Sequence, residues 1–436
     1  MLVFKKTVVY TMLCLLTFTT SCRNVNTSNI NPEETETNKR QVIIRRKLTA
    51  SSAKSTVNIL AQNRVKSIRS LGVEIVRVPD EISTQDYIKQ LSNDPTIDYV
   101  EPNYIRKIAL LEENYSNYPK EDLKTYINSN VNKNMRPLNS FKATFNDPDI
   151  KLQYGLEKIN ADGAWAVTKG DEKIVIAVVD TGVDLNHPDL AANLVKGYST
   201  IKGTINENDD NGHGTHVAGI VSAIADNNIG VTGIAPKCKV MPIKVLSAKG
   251  DGNDSDIAEG IIWAVDHGAK VINLSLGGAG AGKTLENAIL YAYNSNALVV
   301  AAMGNNGANV KNYPAAFKNV VAVGASDSKN KVAPFSNFGD WISVTAPGLK
   351  IYSTLPTYKV ELSRYNLGTE YGILSGTSMA VPYVAGLAGL ILSKNKNLNR
   401  AEVRKRIEQN CNDIDEKGFD DETGVGLIDA SKSLAK

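Results

Sequence analysis

The run Gly376-Thr377-Ser378-Met379-Ala380-Val381-Pro382-Tyr383-Val384-Ala385-Gly386-Leu387-Ala388-Gly389-Leu390-Ile391 sets a serine among small residues at the head of a long apolar stretch. Such a stretch predicts a buried helix. Pro382 is expected in its first turn, where a missing N–H costs little. Gly376, Ala385, Gly386 and Gly389 leave room for another backbone to come close. A serine at such a start meets free N–H groups and the positive end of the helix dipole, which favour developing negative charge. An attacking serine needs that environment and a base besides. On this stretch alone, a serine or threonine that only caps the helix is an equal reading.

Working outward, apolar segments 174–179, 240–245, 271–276, 298–302 and 320–323 read as strands, and 214–224, 255–266, 285–295 and 379–392 as helices. Near-continuous apolar strands alternating with helices predict an α/β fold with a doubly wound, mostly parallel sheet covered on both faces. Ligand crevices in such sheets lie at the carboxyl ends of strands. Two further motifs fall at element ends. Asp180-Thr181-Gly182 closes the 174–179 strand, and Asn211-Gly212-His213-Gly214-Thr215-His216 opens a small-residue helix. Asp180, His213 and Ser378 are therefore candidates for a charge-assisted triad. Ser378 attacks a carbonyl carbon, His213 carries the proton, and Asp180 fixes the imidazole tautomer. An imidazole with an ordinary pKa near 6.5 suits base chemistry at neutral pH.

These three motifs, in this order and spacing, resemble the subtilisin-like serine peptidases (subtilases) over most of residues 147–436. Val381 and Tyr383 stand where the family commonly has Ser and His; they lie beyond Ser378 and are not expected to touch the chemistry. The resemblance implies an endopeptidase acting through an acyl-enzyme. It implies that Asn305, which follows the 298–302 strand, supplies the side-chain oxyanion donor beside the Ser378 N–H, against the alternative that Asn305 caps a turn. A polypeptide substrate is expected as an extended strand along Ser275-Leu276-Gly277 and Gly250-Asp251-Gly252, added by β-pairing. The first specificity pocket is expected between 275–278 and Ala302, Met303 and Gly304. No acid is placed to demand Arg or Lys there. Lys311 either favours an acidic side chain in it or is simply solvated.

Calcium is also implied by the resemblance. Asp147, Asp189 and Asn227 match structural Ca²⁺ positions, with backbone carbonyls of Ile224, Ile229 and Val231 completing a hard-oxygen set. Ordinary Asp/Asn turn chemistry is the competing reading.

The front of the chain differs from the back. Residues 1–146 carry 21 Lys and Arg against 14 Asp and Glu, whereas residues 147–436 carry 28 against 32. Complementary surfaces, or attraction to an anionic membrane or wall, fit this asymmetry; nothing argues for nucleic acid. Lys5 and Lys6, the apolar run 7–18, and Thr19-Thr20-Ser21-Cys22 read as a signal peptide over 1–22,. Ser21-Cys22 resembles a lipoprotein cleavage site, which implies lipidation of Cys22 and a membrane anchor; Thr19 departs from that pattern, and plain secretion is the alternative. A polar linker, 23–39, follows.

Segments 41–47, 53–65, 73–78, 83–92 and 97–108 read as strand, helix, strand, helix, strand. Residues 40–108 thus form a small ferredoxin-like α/β module. Ile97-Asp98-Tyr99-Val100-Glu101-Pro102-Asn103-Tyr104 resembles the closing strand of inhibitor-type subtilase propeptides. That resemblance implies a propeptide acting as intramolecular inhibitor, with its tail in the active site. Residues 109–146 read as an exposed linker holding the maturation site, and 147–436 as the peptidase domain. Cys238 and Cys411 are expected as separate thiols rather than a disulfide. No Cys/His spacing suggests zinc. His187 is expected in a surface turn, His216 as a packed neighbour, and His267 at a helix end.

The resulting expectation is a zymogen of a secreted or lipid-anchored serine endopeptidase. Its role is either general proteolysis or limited processing, such as the leader-peptide removal of lantibiotic leader peptidases. The alternative from another class is an inactive subtilase serving as a binding or scaffold protein, which has no need to keep the full set Asp180, His213, Asn305 and Ser378.

Overall fold

The structure, a computed structural model, describes residues 37–47, 63–108 and 145–435, except 205 and 366. The expected signal peptide, Cys22, most of the first linker and most of the maturation linker lie outside the described residues, as does most of the expected 53–65 helix.

Alternating apolar residues build an N-terminal module from β1 (Thr37–Arg46), β2 (Arg64–Ile68), β3 (Val73–Arg77), helix α1 (Thr84–Ser92) and β4 (Ile97–Ile108). The strands pair antiparallel in the order β4-β1-β3-β2, the ferredoxin-like order. Arg64 and Val65 belong to β2 and not to a helix, because the sheet pairs Arg64 with Val76 and continues through Ile68 opposite Val73. Ser83 caps α1 by accepting the Asp86 N–H at 3.0 Å,. The strand period of two then splits the side chains. Val42, Ile44 and Val76 face Tyr87 and Leu91 of α1, while Ile43, Val73 and Ile75 join the core of the following domain.

That domain begins with two short helices, α2 (Tyr154–Lys158) and α3 (Ala161–Trp165). It continues through β5 (Val175–Asp180), β6 (Tyr198–Ser199), α4 (His213–Ser222), β7 (Lys239–Lys244), β8 (Asp251–Asn253), α5 (Asp254–Asp266), β9 (Val271–Leu274), β10 (Leu276–Gly277), α6 (Lys283–Asn294), β11 (Leu298–Ala302), β12 (Val320–Ser326) and β13 (Val344–Pro347). The hairpin β14 (Ile351–Thr354) and β15 (Tyr371–Leu374) leads to α7 (Thr377–Lys394), α8 (Arg400–Glu408) and α9 (Ala430–Ala435). Seven strands form a parallel sheet in the order β13-β12-β11-β9-β5-β7-β6. In β5, Ile176 and Val178 point to the core beneath α4 and α7, while Ala177 and Val179 point to the core beneath α5 and α6. Both faces are buried, which is why these strands read as unbroken apolar runs.

Two expectations shift. The 271–276 strand breaks at Ser275, and Leu276–Gly277 leaves the parallel sheet to pair with β4. Helix α7 starts at Thr377, so Pro382 lies inside it, in its second turn. Proline has no N–H to give the Ser378 carbonyl four residues back. The Ser275 hydroxyl takes that place, donating to the Ser378 carbonyl at 2.9 Å. Helix α7 is long and apolar enough to span a bilayer, but 89% of its apolar window is buried in the core.

Candidate active site

The carboxyl end of β5 delivers Asp180, and the first residue of α4 is His213. Both are fully buried. His213 Nδ1 lies 2.7 Å from Asp180 Oδ1, which also accepts the Thr181 N–H at 2.7 Å. Oδ2 of Asp180 and Nε2 of His213 are buried without a hydrogen-bond partner among the described residues. A buried imidazole nitrogen held with nothing to bond is costly, and it marks a group set aside for a partner that is absent or must turn.

Ser378 is the second residue of α7. Its Oγ donates to the Ser275 carbonyl at 2.8 Å, the counterpart of the Ser275 bond to the Ser378 carbonyl. The hydroxyl is thus held at the end of β9 and is not bonded to His213. Asn305 lies just past β11. Its Oδ1 accepts the Thr377 N–H at 2.9 Å and the Thr377 hydroxyl at 2.8 Å. Thr377 Oγ1 in turn accepts the Gly304 N–H at 3.1 Å. These bonds fix the Asn305 amide plane by its oxygen and fasten the β11 end to the head of α7.

The expected substrate rails are occupied. β4 enters the cleft and pairs antiparallel with both: Ile108 with Leu276 and Lys107 with Gly277, and on the other side Ile105 with Asn253, Arg106 with Gly252 and Lys107 with Asp251. The Ile108 N–H donates to the Gly250 carbonyl at 2.9 Å. Gly250 has φ +78°, and a Cβ there would lie 2.5 Å from Ile108 Cδ1, so this rail needs glycine,. Behind the rail Ala302 accepts the Asn312 Nδ2 at 2.8 Å, and a Cβ on Gly304 would lie 3.2 Å from the same amide carbon. Lys311 is exposed, its Nζ 5.7 Å from the centroid of the Trp341 ring.

Several residues that position this site escaped the sequence reading. Asp209, 1% exposed, accepts N–H bonds from Asn211, Gly212 and Thr215 and hydroxyls from Thr181 and Thr215. It holds the entry to α4, and burial raises its pKa above the ordinary carboxylate value. The buried Lys244 ammonium donates to the Thr181 and Leu246 carbonyls and to Asp210. Only the position of Asp209 just before a helix start hinted at a capping role. Lys244 gave no signal, because a lysine in an apolar strand reads as an edge.

The histidines divide. His216 is buried as expected, and its Nε2 donates to the Ile351 and Gly372 carbonyls; burial, with the neighbouring His213, lowers its pKa to about 3. His187 is not at the surface. It is fully buried, edge-on to Tyr371, and its Nδ1 accepts the Asp189 N–H at 3.1 Å. The turn before Pro188 is folded under the β14–β15 hairpin, which a local reading does not reveal. His267 ends α5 and stacks on Trp263. Cys238 and Cys411 are both free.

The calcium candidates converge on one loop. Asp147 accepts the Asp226 and Asn227 N–H groups at 3.1 and 3.2 Å. Asp189 accepts the Asn227 side-chain amide at 2.7 Å and the Val231 N–H at 3.0 Å, and its own carbonyl accepts the Ile224 N–H. The Ile229 N–H donates to Asn227 Oδ1 at 3.1 Å. Burial raises the pKa of Asp189 to about 6 and, to a lesser degree, that of Asp147; each feels an acidic neighbour. Two crowded, desolvated carboxylates are groups that a divalent cation suits; in this structure their four oxygens each accept an N–H group. Among the described residues no group of three His, Cys, Asp or Glu side chains gathers at metal-holding spacing.

Comparison with known proteins follows the same outline. The model of the subtilase family matches residues 171–426, and a fervidolysin N-terminal prodomain model matches residues 26–103. A thermophilic serine proteinase of Bacillus sp. (strain AK1) is 38% identical over 368 residues, 82% of this chain and 80% of that protein. Thermitase of Thermoactinomyces vulgaris is 42% identical over 63% of this chain and 94% of its own length. The crystal structure of fervidolysin from Fervidobacterium pennivorans, described as a keratinolytic enzyme related to subtilisin, superimposes with a TM-score of 0.76 at 30% identity. That superposition covers 92% of this chain but 61% of fervidolysin's.

Proposed function

Because this chain belongs to the subtilase family and is a subtilisin-like serine protease with a prodomain, we propose that it is a zymogen of a serine endopeptidase working through Asp180, His213 and Ser378. The observation that carries the reading is the 2.7 Å Asp180–His213 bond with a partnerless His213 Nε2, at the cleft where β4 already lies between the substrate rails.

The chemistry follows from the groups. Ser378 gives up its bond to the Ser275 carbonyl and turns its hydroxyl to His213 Nε2; catalytic hydrogen bonds commonly tighten only once substrate is bound. As Oγ attacks the peptide carbonyl, His213 takes the proton and Asp180 stabilises the imidazolium. The carbonyl oxygen, now negative, accepts from the Ser378 N–H at the head of α7 and from the Asn305 amide. His213 hands its proton to the leaving amine. Water then repeats the sequence on the acyl-enzyme and frees Ser378.

The same proposal includes Ca²⁺ held by Asp147, Asp189 and Asn227 with the carbonyls of Ile224, Ile229 and Val231, supplying charge neutralisation and loop rigidity but no step of hydrolysis. It also includes export by the 1–22 signal, lipidation at Cys22 and a maturation cut within 109–146. The charged, apolar and small-residue order of the N-terminus supports export. A fluorophosphonate probe tests the enzyme: matured protein labels and Ser378→Ala does not, and an unlabelled mature wild type refutes the reading in favour of an inactive scaffold. Membrane-fraction retention that survives Cys22→Ala refutes the lipid anchor.

A further inference from the structure

We propose that the cleft contains a built arginine pocket, with Asp254 at its base, that selects a substrate arginine three residues before the residue whose peptide bond is cut. The inference rests on the endopeptidase reading above. Its register comes from β4. Ile108 stands opposite Leu276 and Lys107 opposite Gly277, so the next residue of a bound strand stands opposite Ser275. The Ser275 carbonyl accepts the Ser378 hydroxyl, which puts the nucleophile beside whatever residue lies there. Counting back three residues along the strand reaches Arg106.

Arg106 and Asp254 are both fully buried. Arg106 Nε and Nη2 donate to the two oxygens of Asp254 at 2.6 and 2.7 Å. Its Nη1 donates to the carbonyls of Gly278 and Ala279 at 3.0 and 2.7 Å, and Nη2 donates also to the carbonyl of Gly280 at 2.8 Å. A guanidinium has five N–H donors in a rigid fork, and here all five are used. Lysine has three donors at a single point and cannot fill both the carboxylate and the three carbonyls. An apolar side chain leaves Asp254 desolvated and unpaired.

Every group that accepts a hydrogen bond from the guanidinium belongs to the peptidase domain, while the Tyr104 ring, 5.4 Å from it, belongs to β4. The carbonyls come from Gly278-Ala279-Gly280, and Asp254 is the first residue of α5. Glycine keeps the wall close. A Cβ on Gly282 would lie 2.3 Å from Asp254 Oδ2, and one on Gly280, at φ +87°, would lie 2.7 Å from the Tyr104 ring. The accepting groups stay in place when the prodomain leaves, and any strand in the same register meets them.

The test uses matured enzyme and fluorogenic peptides that differ only at the third residue before the one cut: arginine, lysine or norleucine. Arginine should exceed norleucine by about 100-fold or more in kcat/KM, with lysine between them. Asp254→Asn should bring the arginine and norleucine peptides to within a few-fold of each other. Equal rates on arginine and norleucine peptides in the wild type overturn the pocket and leave the endopeptidase reading standing. Failure to cut any peptide or to label with fluorophosphonate overturns both. Should Asp254→Asn not fold, the wild-type series decides alone.

Discussion

The prodomain and the peptidase domain are held together by different physics. The peptidase domain is a parallel sheet buried on both faces by apolar side chains. The prodomain has a small core of its own, and much of its hold on the peptidase domain is polar. Glu101 accepts the Lys283 and Thr284 N–H groups at the head of α6, Asn103 bonds Ser255, Lys66 reaches Asp256 and Glu259, and Arg106 reaches Asp254. All four reach the first turns of α5 and α6: Glu101 and Asn103 bring acceptors to helix N-termini, which favour them, and Lys66 and Arg106 pair with the Asp256 and Asp254 carboxylates of α5,. The basic front and acidic back of the chain meet at the Lys66 and Arg106 contacts. The difference teaches that one part is built to stay and the other to be released: apolar burial has no partner to lose, whereas each polar attachment ends when a proton, an ion or a competing peptide takes its place.

Changes in the permanent part should cost most. Ser378→Ala should lower peptide hydrolysis by about 10⁴-fold or more and leave the full-length chain uncut on a gel; self-processing that continues breaks the division of labour. Asn305→Ala should lower kcat by roughly 10²–10³-fold with little change in KM, as read from steady-state kinetics. In the removable part, Arg106→Ala leaves Asp254 buried and alone and should weaken prodomain seating by about 3 kcal/mol, seen as earlier release during maturation. Unchanged release would mean the apolar contacts of Ile43, Val73 and Ile75 carry the attachment.

Acid should sharpen the contrast, since all four histidines lie in the peptidase domain. His216 has its pKa lowered to about 3 by burial. The unfolded chain therefore takes up a proton near pH 6.5 that the folded one refuses. Its contribution to stability is complete above pH 6.5 and declines as pH falls toward 3, by at most about 1.4 kcal/mol per pH unit. His187, lowered in the same direction, adds to it. Melting temperature should fall over that range, and His216→Asn should flatten the fall. Smallest, chelation should lower the peptidase-domain melting temperature by a few degrees, about 1–2 kcal/mol in a domain this size; no shift removes calcium from the account.

The sequence carried the peptidase fold because its signals are local. Ile174 to Val179 is apolar throughout and ends in Asp180, and His213 and Ser378 each sit beside glycine or small residues at a helix start. What it hid depends on residues distant in the chain. Arg106 and Asp254 are ordinary surface charges until 148 positions of separation are folded away. Asp209 lies in a polar run, Asn208-Asp209-Asp210-Asn211, that reads as a solvated loop. His187 looked exposed because its turn is local and its cover is not. Pro382 lies one turn deeper than the local sequence implies, since Thr377 rather than Met379 begins α7 and the Ser275 hydroxyl makes the interior proline tolerable.

One strand, β4, is woven into the prodomain sheet at one end and into the cleft at the other. Guard and scaffold are therefore a single object. A chain whose small sheet assembles badly cannot keep its final residues threaded, so occupancy of the cleft doubles as a report that the N-terminal fold was made correctly.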